Sequence, residues 1–406
     1  DAFGTAGLVL GAPHIIVSGD RSTGTYTFII DAATFEALAG FADGNVWRFR
    51  AKITDIAGNA TTGTASANTL TVDQTVPTVT LTSATTDNVI NIAEKAAGFN
   101  VVAQSSEATG NLYVWNTTVQ GAATDAADLV LNQFGAVAVP SANTNANIAI
   151  TANNENIINA NVYNVYTIDA AGNMSAPSTS TFTADLVAPT LTGMVYAPNS
   201  VSQDGLKKIG DIVATQFTFD QNITVTGNPR VLTNAGASAY FAYNAVWSGA
   251  TMYMTYTVVE GESTGPNAFT LNASAIDLNG GTITDAAGNP AVLTIPATYD
   301  DDYLTNTDIT IDGILPSFTV EYYLGSVTGT PLGVNPIIGI GSSYYIKITA
   351  NEELSSNPTI SISGLAPGTT TNNVTNGSTF THVANTQFSY NRIVNETDDN
   401  GTNELI

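Results

Sequence analysis

The residues of this chain that could carry chemistry are carboxylates and amides that recur at a regular spacing. An Asp-x-Ala-Gly-Asn segment begins at Asp55, Asp169 and Asp285, at intervals of 114 and 116 residues, and a degenerate fourth copy begins at Asp398. Asp and Asn beside a Gly supply oxygen donors on a tight turn, which are the ligands that Ca²⁺ prefers. The same segment also predicts a plain β-turn in which the Asp side chain caps its own backbone.

A second mark repeats with the same period. Asp73, Asp185 and Asp312 each stand four residues before a Pro that opens an alternating apolar run. Two marks with one long period indicate repeated whole domains. The predicted units are residues 1–72 (a partial domain without its first strands), 73–184, 185–311 (a second subtype) and 312–406 (a domain without its last strand). We interpret the chain as an excerpt of a longer repeat protein, with strand exchange between protomers as the alternative.

The segments within each repeat read as β-strands. They are short, rich in β-branched and aromatic residues, and bounded by Gly, Asn, Pro and Ser. Helical periodicity is confined to residues 31–39, where one or two turns are predicted. About seven strands in about 110 residues predict an immunoglobulin-like (Ig-like) β-sandwich. The fold class is therefore all-β, with tandem Ig-like domains in an elongated rod.

The strand order of such a sandwich places the acids at one end of each domain. The linker Asp precedes the first strand, the Asp-x-Ala-Gly-Asn loop joins the last two strands, and Glu107, Asp220 and Glu352 follow the second strand. Asp87, Asn91 and Glu94 lie in a loop that faces the next domain. The candidate metal ligands are Asp55, Asp73, Asp87, Asn91, Glu94, Glu107, Asp169, Asn173, Asp185, Asp220, Asp285, Asn289, Asp312, Glu352 and Asp398.

The composition favours calcium and disfavours most other chemistry. Asp and Glu number 34 against 10 Lys and Arg, the net charge is −24, and the chain has no Cys and two His. Converging carboxylates repel one another, and a hard divalent cation relieves that repulsion. Without sulfur or clustered imidazole, zinc, thiol catalysis and His-based triads are poor candidates, so we do not expect an enzyme. Nucleic acid is disfavoured as a partner by charge, and no apolar run is long enough to span a membrane.

Several motifs resemble a known family. The segment Asp87-Asn-Val-Ile-Asn-Ile-Ala-Glu-Lys95, the Asp-x-Ala-Gly-Asn loops and the Asp-x-x-x-Pro linkers are similar to the tandem Ig-like repeats of giant bacterial surface adhesins. Residues 217–229 and 280–289 resemble another Ig-like repeat of such proteins. The resemblance implies a stalk of linked domains that binds calcium at its junctions.

The function expected is structural. We interpret the chain as a stalk or fibre segment of an extracellular or cell-surface protein that serves adhesion or matrix assembly, with neighbouring domains of the same longer chain as its partners. One alternative is a binding module for a glycan or host protein, for which exposed aromatics such as Phe241 and Tyr243 would be needed. Another is a subunit of a self-assembling surface filament or S-layer-like lattice, with other protomers as partners.

Overall fold

The chain folds almost entirely into β-strands, which confirms the predicted all-β class. The computed structural model describes residues 30–196, 205–295, 309–334, 336–362, 374–384 and 386–394. The described residues form three large hydrophobic cores, and the buried residues of each core lie within one predicted unit. These units are 73–184, 185–311 and 312–406. The exact division into units stays a prediction. None of the helices in the described ranges has both the length and the apolar character that a membrane span requires.

The first unit contains one short helix and two strand pairs among its described residues. The side chain of Asp31 accepts a hydrogen bond from the Thr34 N–H and starts the helix, as the sequence predicts for residues 31–39. The ring of Phe35 lies 5.5 Å from that of Trp47. Strands β1 and β4 pair, and β2 and β3 form a hairpin. The elements are α1 (Ala32–Glu36), β1 (Val46–Trp47), β2 (Lys52–Thr54), β3 (Ala60–Thr62) and β4 (Leu70–Thr71).

The second unit is a two-sheet sandwich. One sheet has the order β10-β7-β5 and the other β6-β12-β11-β8-β9. Val101, Ile148 and Tyr163 are completely buried between the sheets. The elements are β5 (Val79–Ser83), β6 (Val89–Ile90), α2 (Ile92–Ala97), β7 (Phe99–Ser105), β8 (Asn111–Asn116), α3 (Thr117–Gln120), α4 (Ala126–Asn132), β9 (Gly135–Ala138), β10 (Ala146–Ile150), β11 (Val162–Ile168) and β12 (Phe182–Ala184).

The helices α3 and α4 were not predicted from the sequence. They cover the outer face of the second sheet, where Leu129 packs in a second small core with Trp115 and Tyr166. The Trp115 indole N–H donates to the Gly121 carbonyl at 2.8 Å, which ties the loop to the sheet. Strand β11 is therefore covered on both of its faces.

The third unit has a larger five-stranded sheet, in the order β13-β15-β19-β18-β17, and two strand pairs, β16–β20 and β14–β21. Phe217, Phe241 and Phe269 lie at the centre of its core. The elements are β13 (Leu191–Tyr196), β14 (Gly205–Lys208), β15 (Ile212–Phe219), β16 (Thr224–Thr226), β17 (Arg230–Leu232), β18 (Tyr240–Ser248), β19 (Thr251–Thr257), β20 (Thr282–Thr284) and β21 (Ile309–Asp312).

The fourth unit repeats the sheet order of the third. Its sheet runs β22-β23-β27-β26, which corresponds to β13-β15-β19-β18, and β24 pairs with β25. Strand β27 therefore corresponds to β19 of the third unit, whereas the Asp285 loop of that unit follows a later strand, β20. The fourth copy of the loop, which begins at Asp398 after β27, lies outside the described residues. The elements are β22 (Phe318–Leu324), β23 (Ser343–Ala350), β24 (Thr359–Ile362), β25 (Val374–Thr379), β26 (Thr381–Ala384) and β27 (Gln387–Ile393).

Candidate functional site at the interdomain linkers

The Asp-x-Ala-Gly-Asn loop of the second unit is a turn closed by its own side chains. One carboxylate oxygen of Asp169 accepts the backbone N–H groups of Ala171, Gly172 and Asn173 at 2.8–2.9 Å. The other accepts a hydrogen from the Asn173 side-chain amide at 2.8 Å. The carboxylate is thereby satisfied within its own turn, as the alternative β-turn interpretation expects.

The other two described copies close in the same way. Asn59 donates to Asp55 through its backbone N–H at 2.7 Å and its side chain at 2.9 Å, and Asn289 does the same to Asp285 at 2.8 and 2.9 Å. The bonds from Asn59 hold the pKa of Asp55 below its usual value. The glycine before each Asn has φ between +87° and +99°, a conformation that favours glycine. The glycines are Gly58, Gly172 and Gly288.

The Asn side chain of this loop also reaches the linker that enters its domain. The second amide hydrogen of Asn289 is donated to the backbone carbonyl of Asp185 at 2.9 Å. Asn173 bonds the carbonyl of Asp73 at 3.2 Å. The downstream domain therefore holds the carbonyl of the linker Asp in both junctions.

The upstream domain holds the next N–H of the same peptide group. The N–H of Gln74 donates to a carboxylate oxygen of Asp43 at 2.7 Å, and that of Leu186 donates to the side-chain oxygen of Asn159 at 2.7 Å. At the third linker, the N–H of Gly313 donates to the backbone carbonyl of Glu262 at 2.7 Å. In the first two linkers, one peptide group is thus fixed from both domains at once.

Asp43 is the most heavily used acceptor among these. Its second carboxylate oxygen accepts the Thr75 hydroxyl at 2.8 Å. The backbone N–H of Gln74, followed by the Thr75 hydroxyl, holds the pKa of Asp43 below its usual value. The first junction therefore depends on an ionised carboxylate at a position where the second junction uses the neutral Asn159.

The side chains of the linker aspartates turn back on their own backbone. Asp73 accepts the N–H of Thr75 at 3.1 Å, and Asp185 accepts that of Val187 at 3.2 Å. Asp312 bonds the N–H of Ile314 at 3.1 Å. Each is a two-residue Asx turn, which shapes the linker just before its proline.

The residue that directly follows each of the strands β7, β15 and β23 is a further recurring hydrogen-bond acceptor. Asp220 accepts the N–H of Thr190 at 2.8 Å, but the equivalent bonds are Thr78 to Ser106 at 2.8 Å and Ser317 to Asn351 at 2.6 Å. Glu107 and Glu352 lie one residue further along. What recurs at this position is a side-chain oxygen that caps the entering strand, and its charge is not required.

The loop between β5 and β7, at the lower end of the second unit, contacts the Asp-x-Ala-Gly-Asn loop at the upper end of the third unit. The Asn91 side chain donates to the Ala287 carbonyl at 3.0 Å, and the Ile92 N–H donates to the Asn289 side-chain oxygen at 2.8 Å. Asn91 and Glu94 also form the capping box that starts α2. Asp87 accepts the Val89 N–H at 3.0 Å within its own turn. The expected meeting of these two loops is observed, through amides and backbone groups.

Asn289 uses every hydrogen-bonding group of its side chain. Its two amide hydrogens go to Asp285 and Asp185, and its oxygen accepts from Ile92. The residue is completely buried. A buried amide with all of its bonds made is costly to replace, because any substitution leaves polar partners without bonds.

The arrangement differs from the predicted cluster of converging carboxylates. Within the described ranges, no three Asp, Glu, His or Cys side chains are grouped so that they could share a metal ion. At the first two junctions the aspartates are instead occupied by N–H donors, so the described residues do not fit a calcium site built on three carboxylates there.

The junction between the third and fourth units is different. A cavity of about 300 Å³ lies there, lined in part by Leu206, Ser263, Asp312 and Glu352. One carboxylate oxygen of Glu352 is buried and has no hydrogen-bond partner. Among the predicted ligands that the structure describes, Glu352 alone has a buried side-chain oxygen without a hydrogen-bond partner.

The aromatic pair considered for ligand binding lies in the interior of the third unit. Phe241 is 1% exposed and belongs to the core, and Tyr243 packs partly buried against it. Tyr240 points to the other face, where the Arg230 guanidinium lies 5.6 Å from its ring. The pair therefore offers no exposed platform.

Comparisons with known proteins give structural similarity alone. No family model matches the chain, and no curated protein matches it. A calcium-stabilised adhesin that helps an Antarctic bacterium bind ice aligns at 17% identity and a TM-score of 0.35, over 86% of this chain and 73% of that one.

Two further solved structures also come from adhesins. An immunoglobulin-like domain of the M. primoryensis ice-binding adhesin aligns at 23% identity and a TM-score of 0.19, over 28% of this chain and 99% of that one. An Escherichia coli adhesin aligns at 10% identity and a TM-score of 0.24, over 79% and 88%.

Sequence reasoning did not identify Asp43 and Asn159 as linker acceptors. They stand 30 and 26 residues before their linker aspartates, and their residue types differ. At the third linker the same role falls to a backbone carbonyl, which has no signature in the sequence. No fixed spacing in the sequence therefore marks the upstream acceptor of the linker N–H.

Proposed function

We propose that the chain is a structural segment of an extracellular or surface-attached protein, in which Ig-like domains are joined end to end by stiffened linkers and hold an adhesive or matrix-forming part away from the cell. The observation that carries this proposal is the linker peptide clamped from both sides: Asn159 from above and Asn289 from below hold the Asp185–Leu186 peptide group. A linker meant to be flexible would leave these groups to water.

The energetics favour a stiff linker. Ordering the backbone of one residue costs about 1–2 kcal/mol, and a typical hydrogen bond returns a net of about 0.5–1.5 kcal/mol. Between Asp185 and Thr190, the linker backbone is bonded by five side chains, those of Asn159, Asn289, Asp185 itself, Asp220 and Gln221. The contacts of Asn91 and Ile92 with the third unit add to them. Together these bonds offset a large part of the cost of ordering a short linker.

The test is a distance distribution across the second junction. The chain has no cysteine, so two introduced cysteines can carry the only spin labels. Leu131→Cys in the second unit and Ser238→Cys in the third are both exposed positions, and the distance between their labels is measured. We expect a single narrow distribution by pulsed electron paramagnetic resonance. A broad distribution, typical of two freely hinged bodies, would reject the proposal.

We propose further that calcium binds at the junction between the third and fourth units, with Asp312 and Glu352 as the ligands to test. The specific observation in favour is the buried oxygen of Glu352 without a hydrogen-bond partner, beside the cavity that Asp312 also lines. A bound cation would relieve the repulsion between the two carboxylates, and it would add oxygen coordination between the third and fourth units.

Melting curves in calcium and in chelator separate the calcium proposal from the proposal of stiffened linkers. Extracellular sites bind calcium with a Kd of about 10⁻⁴–10⁻³ M, and a hundredfold excess over Kd stabilises the folded state by about 2.7 kcal/mol. We expect calcium to raise the melting temperature and Glu352→Gln to remove part of that rise. Superimposable melting curves in calcium and in chelator would reject calcium binding and leave the clamped rod unaffected.

A further inference from the structure

The third unit is joined to its two linkers by its first and last strands. Strand β13 begins at Leu191, directly after the linker that enters the unit, and β14 follows it along the chain. Strand β21 ends at Asp312, directly before Gly313 of the linker to the fourth unit. Tension along the chain would therefore pull β13 and β14 towards one end of the unit and β21 towards the other.

The pairing of β14 with β21 lies across that path of force. The two strands run parallel over four Cα pairs, from Gly205–Ile309 to Lys208–Asp312. Force reaches β14 from its N-terminal side and β21 from its C-terminal end, so it slides one strand along the other. Because the backbone hydrogen bonds join the strands side by side, sliding strains all of them together and does not open them one at a time.

Strand β21 is also held along its other edge. The N–H of Phe269 donates to the Ile309 carbonyl at 2.8 Å, and the N–H of Thr264 donates to the Ile311 carbonyl at 3.0 Å. The side chains of Ile309 and Ile311 are buried in the core of the unit. Strand β14 pairs with β21 alone among the described residues. Its bonds to β21 are therefore the ones that tension has to break.

The second unit has the same arrangement in a shorter form. Its strands β6 and β12 are also parallel, but they share only two Cα pairs. The N–H of Thr183 donates to the Asn88 carbonyl at 3.0 Å, and that of Asp185 donates to the Ile90 carbonyl at 2.9 Å. Directly after this strand the chain enters α2, so the parallel ladder ends there.

We propose that the β14–β21 pair is a force-resisting lock, so that under tension along the chain the second unit unfolds before the third. The inference rests on the proposed rod, since tension between its ends is what loads these strands along their length. The lock of the third unit has four Cα pairs where that of the second has two. The second unit then lengthens while the third stays folded, and this extension limits the force that reaches the rest of the rod.

Single-molecule stretching through two introduced cysteines tests the order of unfolding. The chain has no cysteine, so the handles attach only where cysteines are placed. Val76 and Ile314 lie in the first and third linkers, and their side chains are 58% and 41% exposed. Handles on Val76→Cys and Ile314→Cys load the second and third units in series and leave the first and fourth outside the path of force.

The length released on unfolding identifies each unit. Fully stretched, residues 79–184 span about 365 Å and residues 191–312 about 420 Å, at about 3.3–3.6 Å per residue and before the folded length is subtracted. We expect the shorter release at the lower force and the longer release at the higher force. The reverse order, or equal forces for the two releases, would overturn the inference.

Proline variants of β14 test the lock directly. The Lys208 N–H donates to a carboxylate oxygen of Asp211 at 2.9 Å and therefore points away from β21. Successive N–H groups of a strand alternate in direction, so the Lys207 N–H faces β21. Lys207→Pro removes that donor from the ladder. It should lower the force of the longer release, whereas the matched control Lys208→Pro should leave that force close to the value of the unsubstituted β14.

Equal unfolding forces for the two proline variants would show that β14–β21 does not resist the tension. If Lys207→Pro does not fold, the order of the two releases with β14 unsubstituted still decides the inference. Forced unfolding reports the unfolding rate, whereas the distance distribution between labels at Leu131 and Ser238 is measured without force. That distribution would stay narrow if the lock is wrong, so failure of the lock is distinguishable from failure of the rod.

Discussion

The side-chain amide of Asn289 donates a hydrogen bond of 2.9 Å to the backbone carbonyl of Asp185, which lies 104 residues earlier in the chain. The same amide group donates at 2.9 Å to Asp285 in its own turn. One Asn therefore closes the loop of its domain and holds the linker that enters the domain. The integrity of the loop and the stiffness of the junction are coupled through this single side chain.

Asn289→Asp should loosen the second junction and leave both cores folded. The new carboxylate cannot donate to Asp185, and it lies against the carboxylate of Asp285. We expect the distance distribution between labels in the second and third units to widen. Far-ultraviolet circular dichroism should stay unchanged, since the core residues are not touched.

The matched control for that variant is Asn59→Asp. Asn59 makes the same bonds within its turn to Asp55, and among the described residues it makes no bond to another unit. It should lose its turn contacts without any effect on the second junction. Equal widening of the second junction by both variants would show that the effect of Asn289→Asp does not come from the contacts of Asn289.

The first junction should loosen in acid more than the second, because its upstream acceptor Asp43 is a carboxylate and the equivalent Asn159 is not. Asp43 accepts the Gln74 N–H and the Thr75 hydroxyl, and these bonds lower its pKa in the folded state. A lowered folded-state pKa means that the contribution is present above the unfolded pKa and is lost as the pH falls through the folded pKa. The second junction uses Asn159, which does not titrate.

Distance measurements across each junction between about pH 7 and about pH 2.5 check this expectation, with melting curves at each pH to show that the domains stay folded. Asp43→Asn keeps an acceptor oxygen for Gln74, so it should give a first junction whose width no longer changes with pH. A response of equal size in both junctions would assign the acid effect to other carboxylates.

Gly313→Ala should disrupt the third linker more than an Ala substitution at an exposed glycine. The N–H of Gly313 donates to the Glu262 carbonyl, and a Cβ at this residue would press on the backbone oxygens of Val259 and Glu262. We expect destabilisation of about 1–3 kcal/mol, because the backbone has to shift. Chemical denaturation measures it, and Gly333→Ala, where a Cβ meets nothing within 4 Å, is the control. Equal stabilities would show that the linker is free to move.

Tyr256→Phe should destabilise the third unit by about 1.5–3 kcal/mol, the range for a hydrogen bond to a charged group. The buried Tyr256 hydroxyl donates to a carboxylate oxygen of Glu262 at 2.6 Å, and burial together with Glu262 raises the pKa of the phenol strongly. Tyr253→Phe on the same strand, whose hydroxyl has no described bond, is the control. In a denaturant titration, Tyr256→Phe should have a lower unfolding midpoint than the unmodified chain, and Tyr253→Phe should not. Equal midpoints for the two variants would contradict the stabilising role of the Tyr256–Glu262 hydrogen bond.

Sequence alone determined the features that depend on local chemistry. The Asp-x-Ala-Gly-Asn loops close as turns because Asp, Gly and Asn are within reach of one another in five residues, whatever surrounds them. The linker aspartates form Asx turns for the same reason. The short helix capped by Asp31 and the all-β class follow from capping chemistry and from the two-residue alternation of apolar side chains.

Tertiary structure decided which partner each of these groups takes. The N–H that follows the linker Asp is accepted by Asp43, by Asn159 or by the Glu262 carbonyl. The N–H at the start of the entering strand is accepted by Ser106, Asp220 or Asn351. Strand register brings an acceptor to each of these N–H groups, and any oxygen there suffices. The helices α3 and α4 begin at the N-caps Asn116 and Asp125, and tertiary packing of Leu129 against Trp115 and Tyr166 places them on the outer face of the sheet. Most of the acids that the sequence pointed to as shared metal ligands accept hydrogen bonds from N–H donors, which for Asp55, Asp169 and Asp285 lie within their own turn.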